Sequence, residues 1–464
     1  MKRSGKQKSW IYAIIMVLVF TAAGALMTEM RYSTVDDAPT VRMFMGYEGG
    51  TPGDFHLFFH TVLVRIFQGL SNLLPGIAWV TIIQLACIWF SNVVIVKNLL
   101  EGVRKSGQHT WLGIAVSIGY LGAFLFYFTA CPTYTTTVSL LGAAAVAQGM
   151  GVDWEEPAKD SFRSLFLSVV LLWMGYLWRE IGAWPCLAFW LLGLFWTGLK
   201  HPLQCSWQKA KPLFMGVVCC AAGLVLFMGA HALEVKLMNA EEFYRWHAAR
   251  TALFDFSDFE QAQQMDTIEE TGWTNAKIRL VEKWYFMDED ITAEALEAQA
   301  AAQTQSSVQG SSIWEQALEG LKAMNRYWRS EPIWFFVFCA MLLIMLCGLI
   351  LTLLQRPVKL WQWAAMPSGA ALGGVLLLYL CWNGRLLLRS YASVLLPMSA
   401  YMLMSLFVLR KAEKHRGEGV LMPVFALAFL IACVPCGAVH YRGLVDSEIV
   451  AYCRKHLEIG NSMD

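Results

Sequence analysis

Residues 1–9 read MKRSGKQKS, and residues 10–29 read WIYAIIMVLVFTAAGALMTE. Four cations, Lys2, Arg3, Lys6 and Lys8, precede the uncharged run Trp10–Met27. A helix needs about 20 apolar residues to cross the hydrocarbon of a bilayer. The run is longer than the apolar core of a cleavable leader, and many similar runs follow. It therefore reads as a first transmembrane helix rather than a signal peptide. The basic flank places the N-terminus in the cytoplasm.

Comparable runs lie at 76–96, 110–129, 134–151, 164–182, 184–199, 212–234, 332–354, 360–382, 386–409 and 419–440, which predicts an all-α polytopic membrane protein of about eleven spans. Composition agrees. Hydrophobic residues make up 57% of the 464 and charged residues 15%, against about a quarter charged in soluble domains. The 20 Trp and 27 Phe suit aromatic belts at two interfaces. A net charge of +1 suggests no nucleic-acid partner. Most of the twelve Cys, such as Cys219, Cys220, Cys339 and Cys347, sit inside apolar runs as small packing residues. Cys433 and Cys436 form a C-x-x-C inside an apolar helix pattern, which is no redox context.

Lys and Arg set the orientation. Lys97/Arg104/Lys105, Lys159/Arg163, Lys200/Lys209/Lys211, Arg356/Lys359 and Arg410/Lys411/Lys414/Arg416 fall in alternate loops, predicted cytoplasmic. Phe55–Leu74 looks long enough to span, but if it did the basic loop at 97–105 would lie outside. Thr61, Arg65, Gln68 and Asn72 share one helical face, and Phe58, Val62, Ile66 and Leu73 the other. The segment is expected to lie in the outer interface, ending at Pro75-Gly76.

The expected organisation is an N-terminal bundle at 1–234 with spans 1–7 and an outer loop at 31–75 carrying the interfacial helix 55–74. A helical extracytoplasmic domain at 235–331, a C-terminal bundle at 332–440 and an extracytoplasmic tail at 441–464 follow. Helix-like stretches occur at 241–264, 274–286 and 314–328. Ala293–Ser312, rich in Ala, Gln and Ser, reads as a linker or a loosely held helix.

Several polar residues gather toward the outer face. Asp36 and Asp37 follow the first span. Adjacent carboxylates there can hold a divalent cation, serve as a general base, or simply start a helix ahead of Pro39. Arg179 and Glu180 end the fifth span, and Arg385 and Arg389 lie four apart near the outer end of the tenth. Such arginines snorkel to headgroups or grip phosphate with a planar fork. In the outer domain, Arg250 with Asp255, and Trp284 with Asp288, pair aromatic and charged residues as sugar-binding surfaces and packing edges both do. Asp288, Glu289 and Asp290 read as a solvated acidic face. His56 and His60 have i, i+4 ligand spacing without a third ligand. No G-x-x-x-x-G-K-[ST], H-E-x-x-H or G-x-S-x-G occurs, so ATP-driven transport, zinc proteolysis and serine hydrolysis lack motif support.

This layout resembles the GT-C superfamily of membrane glycosyltransferases, which use polyprenyl-phosphate-linked sugars. It is most similar to multi-pass proteins of Gram-positive bacteria within that layout. The matches are Asp36/Asp37 after the first span, Arg179 after the fifth, Arg250 with Leu253 and Asp255 in an R-x-x-L-x-D, Trp284 with Asp288, and Gly384-Arg385 with Arg389. Arg389-Ser390-Tyr391 stands loosely where several GT-C enzymes carry Arg-Tyr. The resemblance implies a catalytic base at Asp36 or Asp37, donor phosphate bound by Arg385, Arg389, Arg179 and Tyr391, and an acceptor surface with Arg250, Asp255, Trp284 and Asp288. A divalent cation (Mg or Mn) at Asp36/Asp37 is compatible with it. It further implies a cell-membrane location, with the bilayer, a polyprenyl-phosphate-linked sugar donor and a glycan or cell-envelope acceptor as partners. A polymerase or ligase of lipid-linked glycans is the nearest alternative. A transporter or flippase is a second, because Pro367-Ser368-Gly369-Ala370 with Gly373-Gly374 offers a place for a broken helix.

Overall fold

The computed structural model describes residues 2–28, 31–32, 37–47, 50–200, 207–255, 274, 277, 281, 290–308, 313–330, 340–350, 360–382, 388–408 and 422–433. Among these, helix dominates and no strand occurs. The helices are α1 (Lys2–Met27), α2 (Asp37–Phe44), α3 (Thr61–Leu73), α4 (Trp79–Lys105), α5 (Thr110–Tyr120), α6 (Phe126–Ala130), α7 (Tyr134–Met150), α8 (Ala158–Trp178), α9 (Glu180–Lys200), α10 (Trp207–Leu237) and α11 (Glu241–Asp255). They continue with α12 (Ala293–Val308), α13 (Ile313–Ser330), α14 (Ala340–Ile350), α15 (Leu360–Trp382), α16 (Leu388–Val408) and α17 (Met422–Cys433).

Seven of these helices are long and apolar enough to cross a membrane: Gln7–Met27, Trp79–Lys105, Ala158–Trp178, Glu180–Lys200, Ala210–Leu237, Ala364–Cys381 and Arg389–Val408. The chain is thus a helical membrane protein, and the remaining four expected spans have identifiable differences. The run 110–129 is helical throughout, but a π-helical turn at Leu121–Leu125 divides it. Helix α7 has 17 residues. Helices α14 and α17 are shorter apolar pieces, flanked by residues outside the described set. Apolar side chains cover the outside of α1 and α10: Leu18, Val19 and Leu26 are exposed on one, and Phe214, Val225 and Leu226 on the other. Patches of this kind on a soluble surface would drive association, whereas acyl chains solvate them.

The chain divides into two compact units. The first comprises Met1–Leu226, Trp328–Gly374 and Ala392–Asp464, and its centre is α7. Every residue of α7 is buried. Its sequence, YTTTVSLLGAAAVAQGM, explains how. Gly and Ala remove side-chain bulk, so neighbouring backbones come close enough for van der Waals attraction to hold apolar helices together in lipid. A Cβ on Gly142 would fall inside the Cys186 side chain, and one on Gly149 would meet the Trp190 ring. Gln84 donates to Thr137 at 3.1 Å and Asn98 to Gln148 at 2.9 Å, so α4 runs parallel to α7. Gln148 donates to Ser164, and Gly175 faces Val138, so α8 runs antiparallel. Helix α9 turns back and runs parallel again.

Lys97 departs from its expected place in a loop. It lies inside α4, 6% exposed, in a buried polar cluster. Its ammonium is 3.3 Å from Glu101 and 3.1 Å from Asn98 Oδ1, and sits over the Trp10 ring. Arg104 and Lys105 do end the helix, where cations suit the C-terminal end of its dipole. Helix α15 is another departure: Pro367 lies within it without breaking it. Ser368 nearby accepts from Trp196 Nε1 at 2.9 Å.

The second unit comprises Phe227–Tyr327 and Val375–Tyr391. Its core joins Ala249 and Leu253 of α11 to Leu296 and Ala300 of α12, with Val281 and Ile291. Residues 293–308, expected as a linker or loose helix, therefore form a packed helix. Alanine has the highest helix propensity, and Ala293, Leu296 and Ala300 at spacings of three and four make one buried stripe. Arg245 clasps Glu294 and Glu297 across the two helices. A hydrogen bond from Arg245 holds the Glu297 carboxyl below the ordinary carboxylate range. Glu294 is lowered first by its own backbone N–H and then by the charge of Arg245.

Candidate functional site

The first turn of α7 gathers two of the residues singled out from sequence. A helix start leaves amide N–H groups without helical partners. Here Thr133 is the N-cap: its hydroxyl accepts from the Thr136 amide at 3.0 Å, and the Thr133 amide donates to Thr136 Oγ1 at 2.9 Å. This is a capping box in which threonine replaces the usual Glu or Gln. The Tyr134 amide donates instead to Asp37 Oδ1 at 3.2 Å, across 97 residues of sequence. Asp37, 4% exposed, opens α2, as its place ahead of Pro39 suggests. Its negative charge lies at the positive end of the α7 dipole, a favourable placement. Asp36 lies outside the described residues.

Arg179 reaches the next residue of the same turn. It is the single extended residue between α8 and α9, with φ −167° and ψ 110°. One Nη donates to Thr135 Oγ1 at 2.6 Å. Its guanidinium carbon stands 4.8 Å from the Phe58 ring centre and 5.1 Å from that of Tyr134. Those rings stack at 4.9 Å. A guanidinium held by two aromatic faces and a hydroxyl loses little further freedom when it grips an anion.

An aromatic layer backs this turn. The ring centres of Phe44, Phe59 and Phe67 lie 5.3 to 6.2 Å apart, and that of Trp178 lies 5.1 Å from Phe59 and 5.7 Å from Phe67. His56 and His60 have structural tasks within it. His56 Nδ1 accepts from the amides of Phe58 and Phe59, each at 3.1 Å. That leaves the proton on Nε2, which is 2.9 Å from Thr40 Oγ1 and donates to it. His60 caps α3 by accepting from the Val62 amide at 3.2 Å. The helix expected at 55–74 thus starts at Thr61, so the two histidines have no helical i, i+4 relation and Phe58 lies off the helix. Leu63, Val64 and Phe67 face the bundle, while Ile66 and Leu73 are exposed. Arg65 and Gln68 turn to Asp54, Gln68 at 2.8 Å.

Arg389 and Tyr391 belong to the second unit. Arg389 is the second residue of α16, and Tyr391 is buried with its hydroxyl 3.4 Å from Cys381 Sγ. Arg250 is buried on α11, whose last residue is Asp255. Arg385, Trp284 and Asp288 lie outside the described residues, as does Cys436. The residues missed from sequence are Tyr134, Thr135 and Phe58. The string Pro132-Thr-Tyr-Thr-Thr-Thr137 was the available signal, since hydroxyl residues crowd helix starts. Among the described residues no group of three or more His, Cys, Asp or Glu is arranged to hold a metal. An apolar groove elsewhere in the first unit is lined by Val17, Phe20, Gly24, Asn92, Phe126 and Thr129, none of which was singled out.

No protein-family model, no curated protein and no solved structure matches this chain.

Proposed function

We propose that this protein is a membrane glycosyltransferase that moves a sugar from a polyprenyl-phosphate-linked donor to an acceptor at the outer face of the membrane. The observation that carries the reading is the meeting of Asp37 and Arg179 on consecutive residues, Tyr134 and Thr135, of one helix turn. The resemblance of the sequence layout to GT-C enzymes supports it. With the basic loops cytoplasmic, this turn faces outward.

In this mechanism the donor's phosphate binds Arg179. Its charge stabilises the negative charge that builds on the leaving phosphate. Asp36 or Asp37 accepts a proton from the acceptor hydroxyl as that oxygen attacks the anomeric carbon. The bond between that carbon and the phosphate oxygen breaks in the same step, inverting the configuration. The bond from the Tyr134 amide fixes where the Asp37 carboxylate sits. The GT-C resemblance assigns acceptor binding to Arg250, Asp255, Trp284 and Asp288.

The test is sugar transfer by full-length protein in proteoliposomes supplied with lipid-linked donor. The Asp36→Asn/Asp37→Asn double variant should lose about a hundredfold in rate, the usual worth of a general base. Arg179→Gln should weaken donor use, and Arg179→Lys should restore only part of it because the fork is lost. Wild-type transfer by either the double variant or Arg179→Gln would refute the corresponding role. A requirement for a preassembled lipid-linked chain as donor would instead mark a polymerase or ligase.

A further inference from the structure

Helix α13 carries an apolar stripe that the core of its own unit does not use. At 100° per residue, Leu318 and Leu321 lie within about 40° of Trp314 around the helix. Glu315, Lys322, Arg326 and Glu319 lie roughly 80–140° from Trp314 on the other side. The stripe is open: Trp314 is 84% exposed, Leu318 51% and Leu321 43%. On the polar face Lys322 binds Glu319. The buried cluster of this unit comes from α11, α12, Val281 and Ile291, without these three residues.

The position of α13 along the chain indicates what covers the stripe. It ends at Ser330, and the apolar helix α14 begins at Ala340. Nine intervening residues reach at most about 30 Å, so the chain tethers this amphipathic helix within that distance of an apolar helix in a protein of membrane-spanning helices. An apolar stripe led by tryptophan, opposite a face of mixed charge, is the composition of helices that lie flat at the headgroup boundary.

We infer that α13 is an interfacial helix, with Trp314, Leu318 and Leu321 inserted into the lipid surface. It would hold the second unit against the bilayer through a contact that slides rather than locks. The inference rests on the membrane character of the chain and is independent of the glycosyltransferase reading.

The test places p-benzoylphenylalanine singly at positions 314, 318 and 321, and at 315, 319 and 322, in the full-length chain. The protein is reconstituted in nanodiscs of phosphatidylglycerol and phosphatidylethanolamine and irradiated. Lipid adducts should form about tenfold more at 314, 318 and 321 than on the polar face, as expected for a stripe buried several ångströms in the headgroup region. Replacement of Trp314 is aromatic for aromatic and serves if the leucine positions disturb folding. Equal lipid labelling of both faces, or its absence at the stripe, would overturn the inference. So would cross-links from the stripe to this chain or to a second copy of it.

Discussion

Gly142→Val should leave little folded protein. Gly142 sits midway along α7, where every side chain is buried, and a Cβ there falls within Cys186 of α9. The collision is with the Cβ and Sγ of a short, buried side chain, so no flexible tip can swing aside. Relief requires α9 to move away from α7. That would loosen the Gly149–Trp190 and Gly193–Met150 approaches further along the same pair. Overpacking a tight core costs about 1–3 kcal/mol and sometimes more, and a β-branched residue on a helix-to-helix seam belongs at the upper end. The check is the fraction of monodisperse protein after detergent extraction, with its thermal midpoint. Gly142→Ala should lower the midpoint, and adding Cys186→Gly, which returns the space, should recover much of it. An unchanged midpoint in Gly142→Val would mean that α7 and α9 do not pack at this seam.

Lys97→Met should destabilise the bundle by about 3–5 kcal/mol, the usual cost of removing one member of a buried ion pair. Methionine keeps the length of the side chain and removes its charge. Glu101 is then left 3% exposed without its cation, and its Oε1 has no hydrogen-bond partner among the described residues even now. The Asn98–Gln148–Ser164 chain remains, but it ends on neutral groups. The double variant Lys97→Met/Glu101→Leu removes both charges and should return most of the stability, because an apolar pair of similar size is often as stable as a buried ion pair. Thermal midpoints of the three proteins in one detergent decide it. If the double variant is no more stable than Lys97→Met, the pair is not the unit that matters.

Sequence gave clear sight of what depends on local pattern. The run Trp10–Met27 lies in a helix that is both long and apolar, and Asp37 begins a helix where Pro39 follows closely. Less was visible where a tertiary partner overrides a local cue. Lys97 reads as a loop cation because charges usually mark loops, yet Glu101 one turn later neutralises it within α4. Residues 293–308 read as a linker from composition, but Ala293, Leu296 and Ala300 were already spaced as a buried stripe. Phe58 fits a helical apolar face by spacing, and the cap at His60 excludes it from the helix. At the candidate site, the types of Asp37 and Arg179 were legible and their meeting was not. It depends on α7, whose hydroxyl-rich start marks a helix cap without revealing which distant residues gather there.

On the proposed function, this turn binds a phosphate-bearing lipid. A photoactivatable polyprenyl-phosphate analogue, irradiated with the full-length protein in nanodiscs and mapped by peptide sequencing, tests it most directly. Labelled peptides should contain Phe58, Tyr134 and Arg179, with labelling suppressed by excess unmodified polyprenyl phosphate and lost in Arg179→Gln. Labelling confined to other parts of the chain, or unchanged in Arg179→Gln, would contradict it.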